Sequence, residues 1–248
     1  MIIYFFTVVF FTHILQAIAG FGSTSIGIPF LSLALGTESS VLLLSVAGIF
    51  LCLLVAVTHR NEIRFKELLI ILAAILPVMP AGFFLYARLR SIEWALHLLV
   101  GSLVTFIAGR ELWRRYIKKN WTEPSRRSVC LSLAAGAVIE GMFSMGSAFI
   151  NHYALTKLRD KGAFRATMVC VWMTTNSAAT LYRHFVLHAF TPWHWSAILY
   201  SIPLIVLAFV LGNMLHHKVP NEKFAAILYG VQLTSGLMSL ASGIVLLI

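Results

Sequence analysis

Two stretches decide how this chain is read: Gln16-Ala-Ile-Ala-Gly-Phe-Gly-Ser-Thr-Ser-Ile-Gly-Ile-Pro29, and Gly136-Ala-Val-Ile-Glu-Gly-Met-Phe-Ser-Met-Gly-Ser-Ala148. Each ends one apolar run, inserts a break rich in glycine and hydroxyl residues, and opens a second run too short to cross a bilayer. Laid over one another at one constant offset, Gln16 meets Glu140, Gly22 meets Gly146 and Ser23 meets Ser147. A motif that recurs with its register intact points to an internal repeat.

The surroundings of both breaks are apolar. The 248 residues are 59% hydrophobic and only 11% charged, with a mean hydropathy of +0.87, against about 25% charged in a soluble domain. Lipid is the solvent that such a composition requires. At roughly 20 residues per span, the length holds about eight to ten helical segments and no soluble domain. The expected fold is an all-α polytopic membrane protein.

Apolar runs separated by polar breaks give ten segments. The first half holds Ile2 to Ala19, Ser25 to Leu35, Ser40 to Val57, Leu68 to Ala87 and Ile92 to Leu112. The second holds Val129 to Phe143, Ala148 to Leu155, Ala166 to Tyr182, Trp195 to Leu215 and Phe224 to Ile248. The runs from Ser25 and Ala148 read as half-helices or re-entrant elements. Glu93 and Gly101 fall near Glu222 and Gly230 in the second half. The expected organisation is a first repeat over 1–112, a basic connection over 113–127 and a second repeat over 128–248.

That connection carries Arg114, Arg115, Lys118, Lys119, Arg126 and Arg127 with Pro124, and the positive-inside rule puts it in the cytoplasm. If each half-helix forms a hairpin with its predecessor, only Arg88, Arg90 and Arg183 of the 19 Lys and Arg fall outside. If each pair is instead one kinked span, the clusters at Lys157 to Arg165 and Lys218 to Lys223 cross over and the bias shrinks. The hairpin arrangement predicts two inverted repeats with both termini outside.

The net charge of +10 sits in short clusters between apolar runs and carries no nucleic-acid signature; its partner is the lipid headgroup. Cys52, Cys130 and Cys170 lack metal-ligand or disulfide spacing. Residues 1–20 end in a faint cleavage-like Ala-Ile-Ala-Gly but lack a basic n-region, and the second-half counterpart marks them as mature structure.

Inverted repeats with broken helices bind substrate at mid-bilayer, where the half-helix ends meet. Gly20, Gly22, Ser23, Thr24 and Ser25, with Ser144, Gly146 and Ser147, offer unpaired N–H groups, hydroxyls and a positive dipole end, all suited to an anion. The alternative is that these small residues only let helices pack closely. Glu140 is expected to be the acid inside the bilayer, marking a proton relay, an ion site or a structural hydrogen bond, with Gln16 at the matching place. Asn151, His152, Thr174, Thr175 and Asn176 could complete an anion cradle or bond between helices.

Arg165 and Arg183 read as interfacial cations at opposite ends of one helix that snorkel to headgroups, the alternative being that they draw substrate in. His59, His184, His188, His194, His216 and His217 read as interface residues, and Trp193 and Trp195 suit an aromatic belt. No HExxH, GxSxG, P-loop or paired-acid motif appears, so no enzyme, metal or cofactor is expected.

The run from Gln16 to Pro29 resembles the glycine-rich repeat signature of the TauE/SafE sulfite-exporter family. Gly136 to Gly146 and the later Phe164-Arg165-Ala166-Thr167 with Asn176 resemble that family's second repeat. The resemblance spans both halves. It implies a bacterial inner-membrane transporter of small anions such as sulfite or sulfonates. This sequence departs from the family at Ser23, Thr24 and Ser144, where further glycine is frequent, and at Tyr153, which stands opposite Pro29. A secondary transporter is thus expected, with an anion-selective channel on the same half-helices as the competing reading.

Overall fold

The computed structural model describes residues 2–117 and 125–247; the part of the basic connection that holds Lys118, Lys119 and Pro124 lies outside them. The described residues form helices and no strands. In chain order these are α1 (Ile2–Ala19), α2 (Ser23–Leu35), α3 (Thr37–Thr58), α4 (Phe65–Ile75), α5 (Met79–Leu89), α6 (Glu93–Leu112), α7 (Arg126–Phe143), α8 (Ser147–Lys157), α9 (Lys161–Phe185), α10 (Pro192–Lys218) and α11 (Asn221–Leu247). Six stretches among them are long and apolar enough to cross a membrane: α1, α3, α4 with α5, Trp94–Ile117, α10 and α11. The protein is an all-α, multi-pass membrane protein.

The run expected over Leu68 to Ala87 is one span in two pieces. Pro77 sits between α4 and α5, and Pro80 opens α5; proline lacks the N–H that continues a helix and fits its first turn. The two short runs are helices of 13 and 11 residues, about 20 and 16 Å long. Neither reaches across a hydrocarbon core of about 30 Å. Tyr4, at the start of α1, donates to the Phe30 carbonyl near the end of α2 at 2.8 Å, so the two helices run back along each other from the break.

Inside α2, Pro29 withholds the N–H that the Ser25 carbonyl would otherwise accept, a deficit that lipid cannot repair. Ser235 of α11 supplies the donor, its hydroxyl 2.5 Å from that carbonyl, and Ser242 donates to the Pro29 carbonyl at 2.9 Å. The serine spacing on α11 is thereby a docking strip for the half-helix.

Close packing elsewhere rests on glycine. At the crossing of α6 and α11, a Cβ on Gly101 would come within 2.7 Å of the Leu240 nitrogen. Gly82 of α5 lies against the α7 backbone at Val138 and Gly141, and Gly212 of α10 lies against α1 at Ile14 and Ala17. Ala17 and Gly141 occupy the same position under the constant offset, so each broken helix is gripped at one site by a glycine of another span. Polar α9 packs along α3 in the middle of the bundle.

Candidate functional site

Both breaks begin with the same backbone turn. Gly20 has a φ of +83° and Ser144 a φ of +55°, and these two positions correspond under the constant offset. The Gly20 N–H donates to the Gln16 carbonyl at 2.7 Å, and the Ser144 N–H donates to the Glu140 carbonyl at 2.8 Å. A left-handed residue closes each helix end. At Gly20 a side chain is excluded twice, by φ and by a Cβ that would sit 2.9 Å from the Arg165 Cα. Ser144 accepts the strain, of about 1 kcal/mol, and its hydroxyl accepts hydrogen bonds from Ser45 at 3.3 Å and Arg183 at 3.4 Å.

Beyond these turns, the starts of α2 and α8 meet. The Ser25 and Ser147 hydroxyls lie 2.8 Å apart. Beside them a small space is walled by Gln16, Phe21, Gly22, Thr24, Glu140, Ser144, Ser147, Trp172 and Asn176. Its volume is about 10 Å³, close to the least that a single water needs.

The wall is polar. Gln16 donates from Nε2 to the Cys52 sulfur at 3.2 Å, while its Oε1 has no hydrogen-bond partner. Trp172 Nε1 and Asn176 Oδ1 are also buried without a partner. Unsatisfied polar atoms in a buried site are costly and call for an explanation such as a ligand. The α2 start has Gly22 as its cap residue and no side-chain cap, which leaves the positive end of its dipole uncapped by a carboxylate.

The α8 start differs in this respect. Glu140 Oε2 accepts the Gly146 N–H at 2.9 Å, and Oε1 accepts the Thr175 hydroxyl at 3.0 Å. The protein's own carboxylate thus occupies donors that the sequence assigned to a bound anion. Gln16, the matching residue, makes no such bond and carries no charge. The two half-sites are alike in backbone and unlike in electrostatics.

The remaining expected residues are distributed around this centre. Ser23 is buried beside Gly48 of α3. Thr174 donates to the Cys170 carbonyl along its own helix. Asn151 is fully buried, with both amide atoms unpartnered, and lies off the cavity wall. His152 lies toward Glu111, Arg110, Arg114 and Arg115. Residues 151 and 152 stand at least one helical turn, about 6 Å, beyond Ser147 along α8, which removes them from the tip.

Two expectations are corrected. Arg165 and Arg183 are 0% and 8% exposed, so their side chains are enclosed between helices and do not reach out to headgroups; they lie five turns apart on one face of α9. Arg165 donates to the Ala17 carbonyl at 3.0 Å, and Arg183 reaches the Gly141 carbonyl at 3.4 Å, so each guanidinium addresses the end of a broken helix, where carbonyls lack partners. Glu111, in the last turn of α6 before a π-helical turn at Trp113–Ile117, is 1% exposed, and the acid pairs with Arg110 and Arg114. His194 and His216 are buried as well: His194 caps α10 through Thr191, and His216 bonds the Ile18 carbonyl.

Trp172 was missed by sequence reasoning. The signal was present, since Arg165, Trp172, Asn176 and Arg183 recur at helical spacing and mark one stripe of α9.

A model of the family described as Sulfite exporter TauE/SafE matches residues 5–239, nearly the whole chain. No curated protein and no solved structure matches.

Proposed function

The chain belongs to the sulfite exporter TauE/SafE family, and from that premise we propose that it is a secondary transporter of a small sulfur-containing oxyanion, coupled to protons through Glu140. The observation that carries the reading is the meeting of the two half-helices at Ser25 and Ser147, beside a cavity with three unpartnered buried polar atoms, on Gln16, Trp172 and Asn176. The uncapped α2 start, the Thr24 and Ser147 hydroxyls and the Trp172 N–H supply donors for an anion.

Glu140 sits on the α8 donors as a built-in competitor. Its negative charge repels an anion in the same small space, and protonation removes that repulsion and makes the carboxyl a donor itself. Proton and anion then occupy the centre together and move in the same direction. The tightness of the cavity favours alternating access over an open pore, since a channel needs a continuous conduit.

The repeat organisation belongs to the same proposal. Pairing of α6 with α11 and of α3 with α9, with α1 on α10 and α7 on α5, is the pattern that two inverted five-element units generate. In this arrangement both termini and the 186–191 turn face the outside of a bacterial inner membrane. Cysteines placed one at a time at Lys157 and His188 in a cysteine-free protein are then labelled from opposite sides; labelling of Lys157 from the side of the N-terminus refutes the topology.

The deciding experiment is flux into proteoliposomes of sulfite, thiosulfate, short sulfonates and carboxylates. Saturable flux of a sulfur oxyanion that responds to an imposed pH gradient is expected. Currents at channel rates without that response, or no flux of any of these anions, overturn the proposal.

A further inference from the structure

We infer that Arg183 is a second anion site, a loading point for oxyanions with a short organic tail, set between the Glu38 end of the bundle and the central cavity. This inference rests on the transport reading above for its role, though not for its geometry.

Arg183 is a buried cation with poor partners. Its Nη1 lies 3.4 Å from the Ser144 hydroxyl and its Nη2 lies 3.4 Å from the Gly141 carbonyl, both beyond the usual 2.7–3.2 Å. The Phe83 ring centroid is 5.8 Å away. Among the described residues no carboxylate lies within salt-bridge distance of it. The charges of Glu140 and Glu38 act on it only from beyond that distance, and a buried guanidinium in a membrane protein with no carboxylate in direct contact is expensive; such residues mark ion and substrate paths.

Arg165, on the same face of the same helix, is the internal control. Its Nη1 donates to the Ala17 carbonyl at 3.0 Å, and its Nη2 donates to His59 Nε2 at 2.7 Å and Asn213 Oδ1 at 2.9 Å. Neutral acceptors engage both terminal nitrogens of Arg165, leaving only its Nε without a partner, and hold it as a structural tie. Arg183 has the corresponding carbonyl at arm's length and nothing comparable beyond it.

What Arg183 has instead is space. It lies in the wall of a cavity of about 100 Å³ with Phe83, Tyr86, Met142 and Tyr182, and with exposed Glu38 toward its mouth. The guanidinium fork matches two oxygens on one centre, as in a sulfonate or carboxylate. The apolar walls suit a one- or two-carbon tail. Ser144, the acceptor of Arg183, lines the central cavity, so one residue separates the guanidinium from that space and the oxyanion can pass inward across it. Glu38 at the mouth disfavours a second negative charge, so the site selects monoanions such as alkanesulfonates over dianions.

The test compares Arg183→Gln and Arg183→Lys with wild type. Methanesulfonate flux is measured from each side of sealed proteoliposomes, and methanesulfonate-dependent thermal stabilisation is measured on purified protein. Arg183→Gln is expected to raise KM about tenfold from the Glu38 side, as loss of a charge-assisted bond does, with KM from the other side unchanged and the stabilisation reduced. Arg183→Lys keeps the charge without the fork and falls between, which decides the matter if the glutamine variant does not fold. Equal changes from both sides, or wild-type behaviour in both variants, overturn the inference while leaving transport intact. If the wild type moves no anion, stabilisation that depends on Arg183 still upholds the site, and its absence sinks it.

Discussion

Ser25 and Ser147 are 122 residues apart in sequence, yet their hydroxyl oxygens lie 2.8 Å from one another where α2 and α8 begin. One hydrogen bond therefore ties the two half-helices at the centre of the molecule. A bond of this kind inside a membrane protein contributes about 0.6 kcal/mol. Alanine at both positions, separately and together, should give a coupling of that size in detergent unfolding. The anion KM should rise more for Ser147→Ala, since Ser147 lines the cavity and Ser25 does not. Strictly additive stability effects would show that the bond is not made.

Glu140→Gln removes the charge and keeps a carbonyl that can accept one of the bonds now made to Gly146 and Thr175. The expected protein unfolds within a few degrees of wild type and still moves anion down its gradient. Its flux no longer responds to an imposed pH gradient. Persistence of the wild-type response in this variant removes Glu140 from the coupling.

Gly82 and Gly109 form a matched pair for testing close packing. A Cβ on Gly82 runs into the α7 backbone, while one on Gly109 meets nothing within 4 Å. Gly82→Ala should cost about 1–3 kcal/mol, the range for overpacking. Gly109→Ala should be neutral or stabilising by up to about 1 kcal/mol, because alanine is the better helix former. Equal effects in thermal unfolding would contradict the packing at α5 and α7.

Acid stability should carry the signature of Asp160. This residue lies before α9, outside the membrane spans, and its Oδ1 caps the helix by accepting the Ala163 N–H at 2.8 Å. That bond holds the carboxyl below the ordinary aspartate range. A depressed folded-state pKa adds stability above the unfolded value, and this is lost as pH falls through the folded value. Asp160→Asn keeps the cap and should flatten the acid limb of the stability profile. Asp160→Ala should cost about 1 kcal/mol at neutral pH. An unchanged acid limb in Asp160→Asn would assign the slope to other groups.

Much of the centre was legible because it depends on local chemistry repeated in register. Gly20 and Ser144 could be matched by offset alone, and both adopt the left-handed turn. Gln16 and Glu140 could be matched likewise, and both line the cavity. Illegible was anything that depends on which way a helix is turned or what lies opposite. Asn151 and His152 follow the second break closely in sequence, but each residue turns α8 by about 100° and advances it 1.5 Å, which carries them away from the tip. Arg165 and Arg183 looked interfacial because each sits near the end of its segment. Burial follows from the carbonyls that α1 and α7 present to them, and those become neighbours only when the bundle closes.

The chain's composition and its two glycine-and-hydroxyl breaks were sufficient, unaided, to establish a helical membrane protein with interrupted spans. Apolar length and missing backbone donors are properties of short stretches, and a bilayer allows few ways to satisfy them. Only the tertiary structure decided that Glu140 turns back onto Gly146, that Trp172 joins the wall, and that Arg165 is held firmly while Arg183 is held loosely. The Glu140 bond spans six residues but depends on the left-handed turn at Ser144; the others depend on helices remote in sequence, and residue spacing gives only the stripe of α9 involved, not what lies opposite it.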